Sequence, residues 1–126
     1  MSFFINHIAL SVKDVNDSVA FYQRVFQLKE IENKASNSNT RWLSLNEGKQ
    51  LHLIPRPNFE IKTNKAVHFA LSTLDFDLFV KKIENLNIEY TDWHDVPNEI
   101  FIRKDSKKQI YFQDPNGYWI EVNNDV

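Results

Sequence analysis

The chain has 126 residues, 42% of them hydrophobic and 25% charged, enough for one soluble globular domain that buries roughly two-thirds of its unfolded surface. Fifteen basic and seventeen acidic side chains give a net charge of −2, which leaves no basic excess for a nucleic-acid backbone. There is no cysteine and there are only two separated glycines, Gly48 and Gly117, which excludes disulfides, thiolate metal sites, cysteine nucleophiles and glycine-rich phosphate or dinucleotide loops.

The opening residues carry no charged leader, and no window approaches the ~20 apolar residues of a membrane span. The expected setting is therefore the cytoplasm, with no membrane and no nucleic-acid partner. The first alternating run, His7-Ile8-Ala9-Leu10-Ser11-Val12, predicts a strand over about 4–12. Asp14 then precedes apolar Val15, Val19, Tyr22 and Val25, spaced as the buried stripe of a helix over about 14–27. Strands are expected near 28–33, 40–46 and 50–54. Gly48 lies in the last hairpin, where a positive backbone φ is wanted. Residues 55–65, with two prolines, read as a linker between modules of about 1–54 and 66–126 in a single domain 1–126.

The second half repeats the first. His68-Phe69-Ala70-Leu71-Ser72-Thr73 matches His7 to Val12 at an offset of 61 residues, and Asp75, Phe76, Val80, Ile83 and Leu86 match the helix start and its stripe. Both Asp14 and Asp75 are expected to cap their helices through the carboxylate. Strands are expected near 66–72, 88–92, 108–113 and 118–123, with a helix near 75–87. Gly117 falls in the last hairpin, as Gly48 does. Four residues beyond each glycine stands a polar residue in an apolar strand, His52 and Glu121, at an offset of 69. The larger offset places about eight extra residues between Trp93 and Lys107. The fold class is α+β: two βαβββ modules.

Strand parity selects the chemistry, because successive side chains face opposite ways. Ile8, Leu10 and Val12 pack toward the helix, as do Val67, Phe69 and Leu71, Leu51 and Leu53, and Ile120 and Val122. His7, His52, His68 and Glu121 then share the helix-free faces, at equivalent positions of the two halves, where a pseudo-twofold would make them converge. Imidazole and carboxylate donors suit a divalent ion: zinc, nickel, cobalt, manganese or iron. Any one strand histidine is more often a hydrogen-bonded structural residue than a ligand; the matched parity and repeat positions favour a metal site. Ser11 shares the face of His7, and Gln109 shares that of Tyr111. Trp42, Trp93, Tyr111 and Trp119 are aromatic candidates for a substrate wall, although aromatic residues are more often core. Arg41 has the parity of Leu43 and Leu45, which turns it toward the helix. His94 belongs to no set and reads as a solvated loop residue.

These features resemble the vicinal oxygen chelate superfamily (glyoxalase, bleomycin resistance protein, dioxygenase). The resemblance spans the whole chain and is strongest in His7 to Val12, in the run 17–26 with Phe21-Tyr22, in His68 to Thr73, and in Asp114-Pro115-Asn116-Gly117-Tyr118-Trp119-Ile120-Glu121. It implies a pair of curved mixed sheets around a central cavity with helices outside, and a homodimer. It also implies a divalent metal at His7, His52, His68 and Glu121. Glyoxalase I enzymes usually carry a carboxylate or amide where this chain has His52. The activity implied is that of a glyoxalase-like lyase or isomerase: the metal chelates adjacent oxygens of a small substrate and stabilises an enediolate-like intermediate, with Glu121 as the catalytic residue. Ser11, Trp42, Gln109, Tyr111 and Trp119 would contact substrate.

Three other classes compete. His7, His68 and Glu121 would also supply the facial triad of an extradiol dioxygenase, and 110–117 resembles that signature. The signature calls for a histidine a few residues before Ile110, however, and Ile102, Arg103 and Lys104 stand there. A fosfomycin-modifying enzyme would bring a serine- and glycine-containing cation loop, whereas Ser106 stands alone among lysines. A metal-free drug-binding protein would use the aromatic crevice but usually lacks the ligand set retained here.

Overall fold

A computed structural model describes residues 1–126. The chain divides into two compact units, 1–61 and 62–126. In chain order the first holds β1 (His7–Val12), α1 (Val15–Phe26), β2 (Glu30–Ile31), β3 (Arg41–Ser44) and β4 (Gln50–Pro55). The second holds β5 (His68–Ser72), α2 (Phe76–Asn85), β6 (Phe101–Ile102), β7 (Lys108–Gln113) and β8 (Trp119–Asn123). Each unit has one four-stranded mixed sheet, in the order β1-β4-β3-β2 and β5-β8-β7-β6. The first strand of each unit runs parallel to the last, and the remaining pairs are antiparallel. This is the α+β repeat expected from the sequence.

Burial holds the register. Leu51 and Leu53 of β4, Leu43 of β3 and Val12 of β1 are fully buried. Each such side chain contributes about 1.5–3 kcal/mol over its exposed state. A one-residue slip of β4 would turn both of its leucines to the other face and drive His52 inward, so the pairing Ala9↔His52 and Trp42↔His52 is strongly specified. In the second unit Ile110, Phe112, Ile120 and Val122 do the same work, and Phe112 meets Phe79 of α2 with ring centroids 6.1 Å apart.

Asp14 has extended backbone (φ −126°, ψ 107°), and its carboxylate accepts from the amides of Asn16 at 2.9 Å and Asp17 at 3.1 Å. Asp75 does not cap as expected. Its ψ of 43° departs from the extended geometry that aims a capping carboxylate at the first turn, and it makes no side-chain cap bond. Both glycines have the left-handed backbone anticipated, φ +76° at Gly48 and +88° at Gly117.

Three further expectations shift. Residues 88–92 form no regular strand: only Thr91 bridges, to Tyr111 and to Pro97, and β6 lies instead at Phe101–Ile102. The extra residues of the second half occupy the loop between them. Val67 is 76% exposed, because the strand begins one residue later. Pro55 pairs with Val12 as the last residue of β4 instead of opening a linker.

Candidate functional site

In the second unit β8 carries Glu121 between Ala70 of β5 and Tyr111 of β7. The small Ala70 leaves the carboxylate room, yet Glu121 is only 8% exposed. Both of its oxygens are held. Oε1 accepts from the Tyr111 hydroxyl at 2.7 Å and Oε2 from Asn123 Nδ2 at 2.7 Å. The buried Gln109 amide donates in turn to the Tyr111 hydroxyl. Burial, and then the hydrogen bond and charge of Glu121, push the Tyr111 phenol far above its usual range, so it stays a donor to Glu121.

His68 stands beside this carboxylate, its Nε2 at 3.5 Å from Glu121 Oε1. Its other nitrogen, Nδ1, lies 2.8 Å from the main-chain carbonyl of Lys65. A carbonyl can only accept, so Nδ1 carries the hydrogen. In the neutral ring the lone pair then sits on Nε2, facing a carboxylate oxygen. The Nε2 lone pair and the carboxylate oxygen thus stand side by side, as two donors to one metal ion would. Carbonyl support of the distal imidazole nitrogen is the arrangement that ligating histidines commonly have. An imidazole nitrogen and a carboxylate oxygen held this way fit a divalent ion of the zinc, nickel, cobalt, manganese or iron kind.

In the first unit three rings form a stack. Trp42 and His52 lie 4.1 Å apart and 6° from parallel, and His52 and His7 lie 4.1 Å apart and 13° from parallel. His7 Nδ1 meets Asn6 Oδ1 at 2.7 Å, which leaves Nε2 for a ligand. His52 Nε2 meets Gln50 Oε1 at 2.8 Å, which leaves only Nδ1. Burial first, and the neighbouring His7 second, lower the His52 pKa below its ordinary 6.5.

That shift has a sign that can be measured. Below pH 6.5 the unfolded imidazole takes up a proton that folded His52 resists, so the unfolded state binds more protons. The stability contributed by neutral His52 is present above 6.5 and is lost as the pH falls through the folded value. Urea midpoints of metal-free protein should therefore rise with pH up to about 6.5 and level off above it. His52→Asn should flatten that slope; an unchanged slope would assign the effect elsewhere.

The four candidate ligands thus come together as two pairs, His7 with His52 and His68 with Glu121. Neither unit by itself assembles three or more such donors. Of the substrate candidates, Trp42 is stacked on His52, while Gln109 and Tyr111 belong to the Glu121 network. Trp119 faces the Lys65 ammonium at 5.1 Å. Ser11 sits on β1 opposite Ile54 and is half-buried. Arg41 turns toward α1, bonding Asn16 at 2.7 Å, and grips Glu30 through two nitrogens. Its guanidinium, first through that hydrogen bond, holds the Glu30 carboxyl below its usual range. His94 is exposed, in edge contact with Phe101.

Sequence reasoning missed Asn123, Gln50 and Lys65. Asn123 was within reach, since it shares the parity of Trp119 and Glu121. Lys65 lay in a segment read as linker, where no periodicity points a side chain.

The fold matches a known class. The family model for the Glyoxalase/Bleomycin resistance protein/Dioxygenase superfamily matches residues 4–122, and the chain belongs to that superfamily. Among its relatives is the metallothiol transferase FosB of Lysinibacillus sphaericus (strain C3-41), 32% identical over 121 residues, covering 93% of this chain and 79% of that protein. Glyoxylase I 4 of Arabidopsis thaliana is 28% identical over 127 residues, covering 95% of this chain and 70% of that one. Among solved structures, a mutant of the fosfomycin resistance protein FosX from Listeria monocytogenes, complexed with Mn(II) and 1S,2S-dihydroxypropylphosphonic acid, superposes with a TM-score of 0.79. It is 22% identical, and the match covers 100% of this chain and 95% of that one.

Proposed function

We propose that the protein is a divalent-metal-dependent enzyme acting on a small substrate with adjacent oxygens. Its ligands are drawn from His7, His52, His68 and Glu121, and Glu121 is its catalytic residue. The observation that carries the reading is the His68–Glu121 pair, with Nδ1 committed to the Lys65 carbonyl and Nε2 left facing the carboxylate. A divalent ion bound there supplies Lewis acidity that stabilises negative charge developing on oxygen. The chain's own groups do the rest. Tyr111 and Asn123 orient Glu121, and a carboxylate so placed can take a proton from substrate carbon and return it. Ser11, Trp42, Gln109, Tyr111 and Trp119 are the proposed substrate contacts. A homodimer working in the cytoplasm belongs to the same reading; no helix is long and apolar enough to cross a membrane.

The first reaction class proposed is a glyoxalase-like lyase or isomerase. A second is addition of a thiol to an oxygen-bearing substrate, favoured by the 32% identity to a metallothiol transferase over nearly the whole chain. The test is direct. Metal-free protein is titrated with Mn2+, Zn2+ and Ni2+, and the loaded forms are assayed with a hemithioacetal, with fosfomycin plus a thiol, and with a catechol. Saturable binding with turnover of the hemithioacetal supports the first class, and thiol-dependent loss of fosfomycin supports the second. Catechol cleavage would mean a dioxygenase. Failure of every metal to bind would leave a metal-free binding protein instead.

A further inference from the structure

Lys65 enters the second unit just before β5. Its side chain is only 13% exposed, and its ammonium is surrounded. Nζ lies 3.0 Å from Thr91 Oγ1, 2.7 Å from the Asp92 carbonyl, 3.3 Å from the Trp93 carbonyl and 2.7 Å from Asp95 Oδ1. Three rings complete the enclosure, with centroids 5.0 Å away at Tyr111, 5.1 Å at Trp119 and 5.7 Å at Trp93. An ammonium has three hydrogens, and four oxygens already compete for them. It has none to spare for a substrate anion, so Lys65 is no anion-gripping residue despite its place beside Tyr111.

What the ammonium holds is the loop 91–95. Asp92 Oδ1 also accepts from the amides of His94 at 2.8 Å and Val96 at 3.0 Å, which ties the backbone of the turn together. The turn carries Trp93, whose ring lies 6.3 Å from His68 and 5.4 Å from Tyr111. Trp93 is 39% exposed, so the packing around it is partial and the latch matters to where it stands. Lys65 also reaches the site through its backbone, because its carbonyl receives His68 Nδ1.

We infer that Lys65 is a positioning residue: its ammonium, seated in the box of Trp93, Tyr111 and Trp119, latches the 91–95 turn so that Trp93 forms a wall of the site beside His68. The box itself is a built receptor for a primary alkylammonium, filled by the chain's own side chain. The role in the site rests on the reading of His68 and Glu121 as metal donors; the latch does not.

The test uses full-length protein labelled with 5-fluorotryptophan, with the Trp93 fluorine signal assigned through Trp93→Phe. In Lys65→Ala the Trp93 signal should move and narrow toward that of a solvent-exposed ring. Hydrogen exchange at the His94 and Val96 amides should quicken roughly tenfold or more, the consequence of losing hydrogen bonds to a charged group. Adding n-propylammonium should restore both, and n-propanol, the uncharged analogue, should not. Asp95→Asn, a change at an exposed side chain, should give an intermediate effect and keeps the test open should Lys65→Ala fail to fold. Mn2+ bound to wild-type protein should broaden the Trp93 signal, and Lys65→Ala should relieve that broadening. An unmoved Trp93 signal, or equal rescue by propanol, would overturn the latch. Absence of Mn2+ binding to wild-type protein would overturn the metal reading alone, because the signal shift and the ammonium rescue are read without metal.

Discussion

Replacing Glu121 by Gln should lower the affinity for Mn2+ by about 100-fold or more and abolish turnover, while the protein stays folded. Loss of an outer partner of a metal ligand typically costs 10–100-fold in affinity, and Glu121 is proposed as a ligand itself. The variant is nearly isosteric, so the local polar network decides what happens to the fold. Asn123 Nδ2 can only donate, so the new amide must keep its oxygen there and turn its NH2 toward Tyr111. The Tyr111 hydroxyl already accepts from Gln109 and would lose its own acceptor, at a cost of about 1–3 kcal/mol for a buried polar group left unmet. Stability therefore drops modestly where metal binding collapses. Calorimetric or EPR titration with Mn2+, set beside urea unfolding of the same samples, separates the two effects. An active Glu121→Gln enzyme with its metal affinity intact would remove Glu121 from the catalytic role.

Much of this arrangement was legible in the amino-acid order, because two periodicities do the encoding. The period of two put His7, His52, His68 and Glu121 on the polar side of their strands, and the fully buried Leu51, Leu53 and Ile120 confirm the opposite face. The repeat of His7 to Val12 at His68 to Thr73 gave the two sheets their matching order. The misses share a cause. Thr91, Lys65 and Asp75 lie in or beside irregular backbone, where side-chain direction is set by local φ and ψ and by tertiary partners. Asp75 differs from Asp14 in ψ, not in residue type, and so loses its cap bonds. Lys65 finds its acceptors 26 to 30 residues away, mostly on main-chain carbonyls and a hydroxyl that no charge pattern announces. His52 shows a subtler limit. Parity placed it on the correct face but gave no sign that it would be sandwiched between Trp42 and His7 with one nitrogen committed to Gln50.

The alternation of faces can be tested at a single step along β7, where Tyr111 and Phe112 are neighbours in sequence and both are buried, 2% and 1% exposed. Phe112→Ala should cost about 3–5 kcal/mol, since it removes a ring packed against Phe79 and leaves a cavity beneath α2. That is a large share of the ~5–15 kcal/mol that holds a typical domain, and the variant should unfold at much lower urea. Metal affinity of whatever remains folded should be nearly unchanged, because Phe112 points to the α2 side of β7, opposite to Tyr111. Tyr111→Phe should do the reverse. It keeps the ring that flanks Lys65 and His68 but deletes the hydroxyl that joins Gln109 to Glu121. Its stability cost should stay within about 1–3 kcal/mol. Metal affinity should fall about 10-fold, as for other outer partners of a ligand. Urea unfolding and Mn2+ titration of the two variants should thus move in opposite order. Equal losses in both measurements for both variants would mean that the two faces of β7 are not the separate core and site surfaces that the strand's parity makes them.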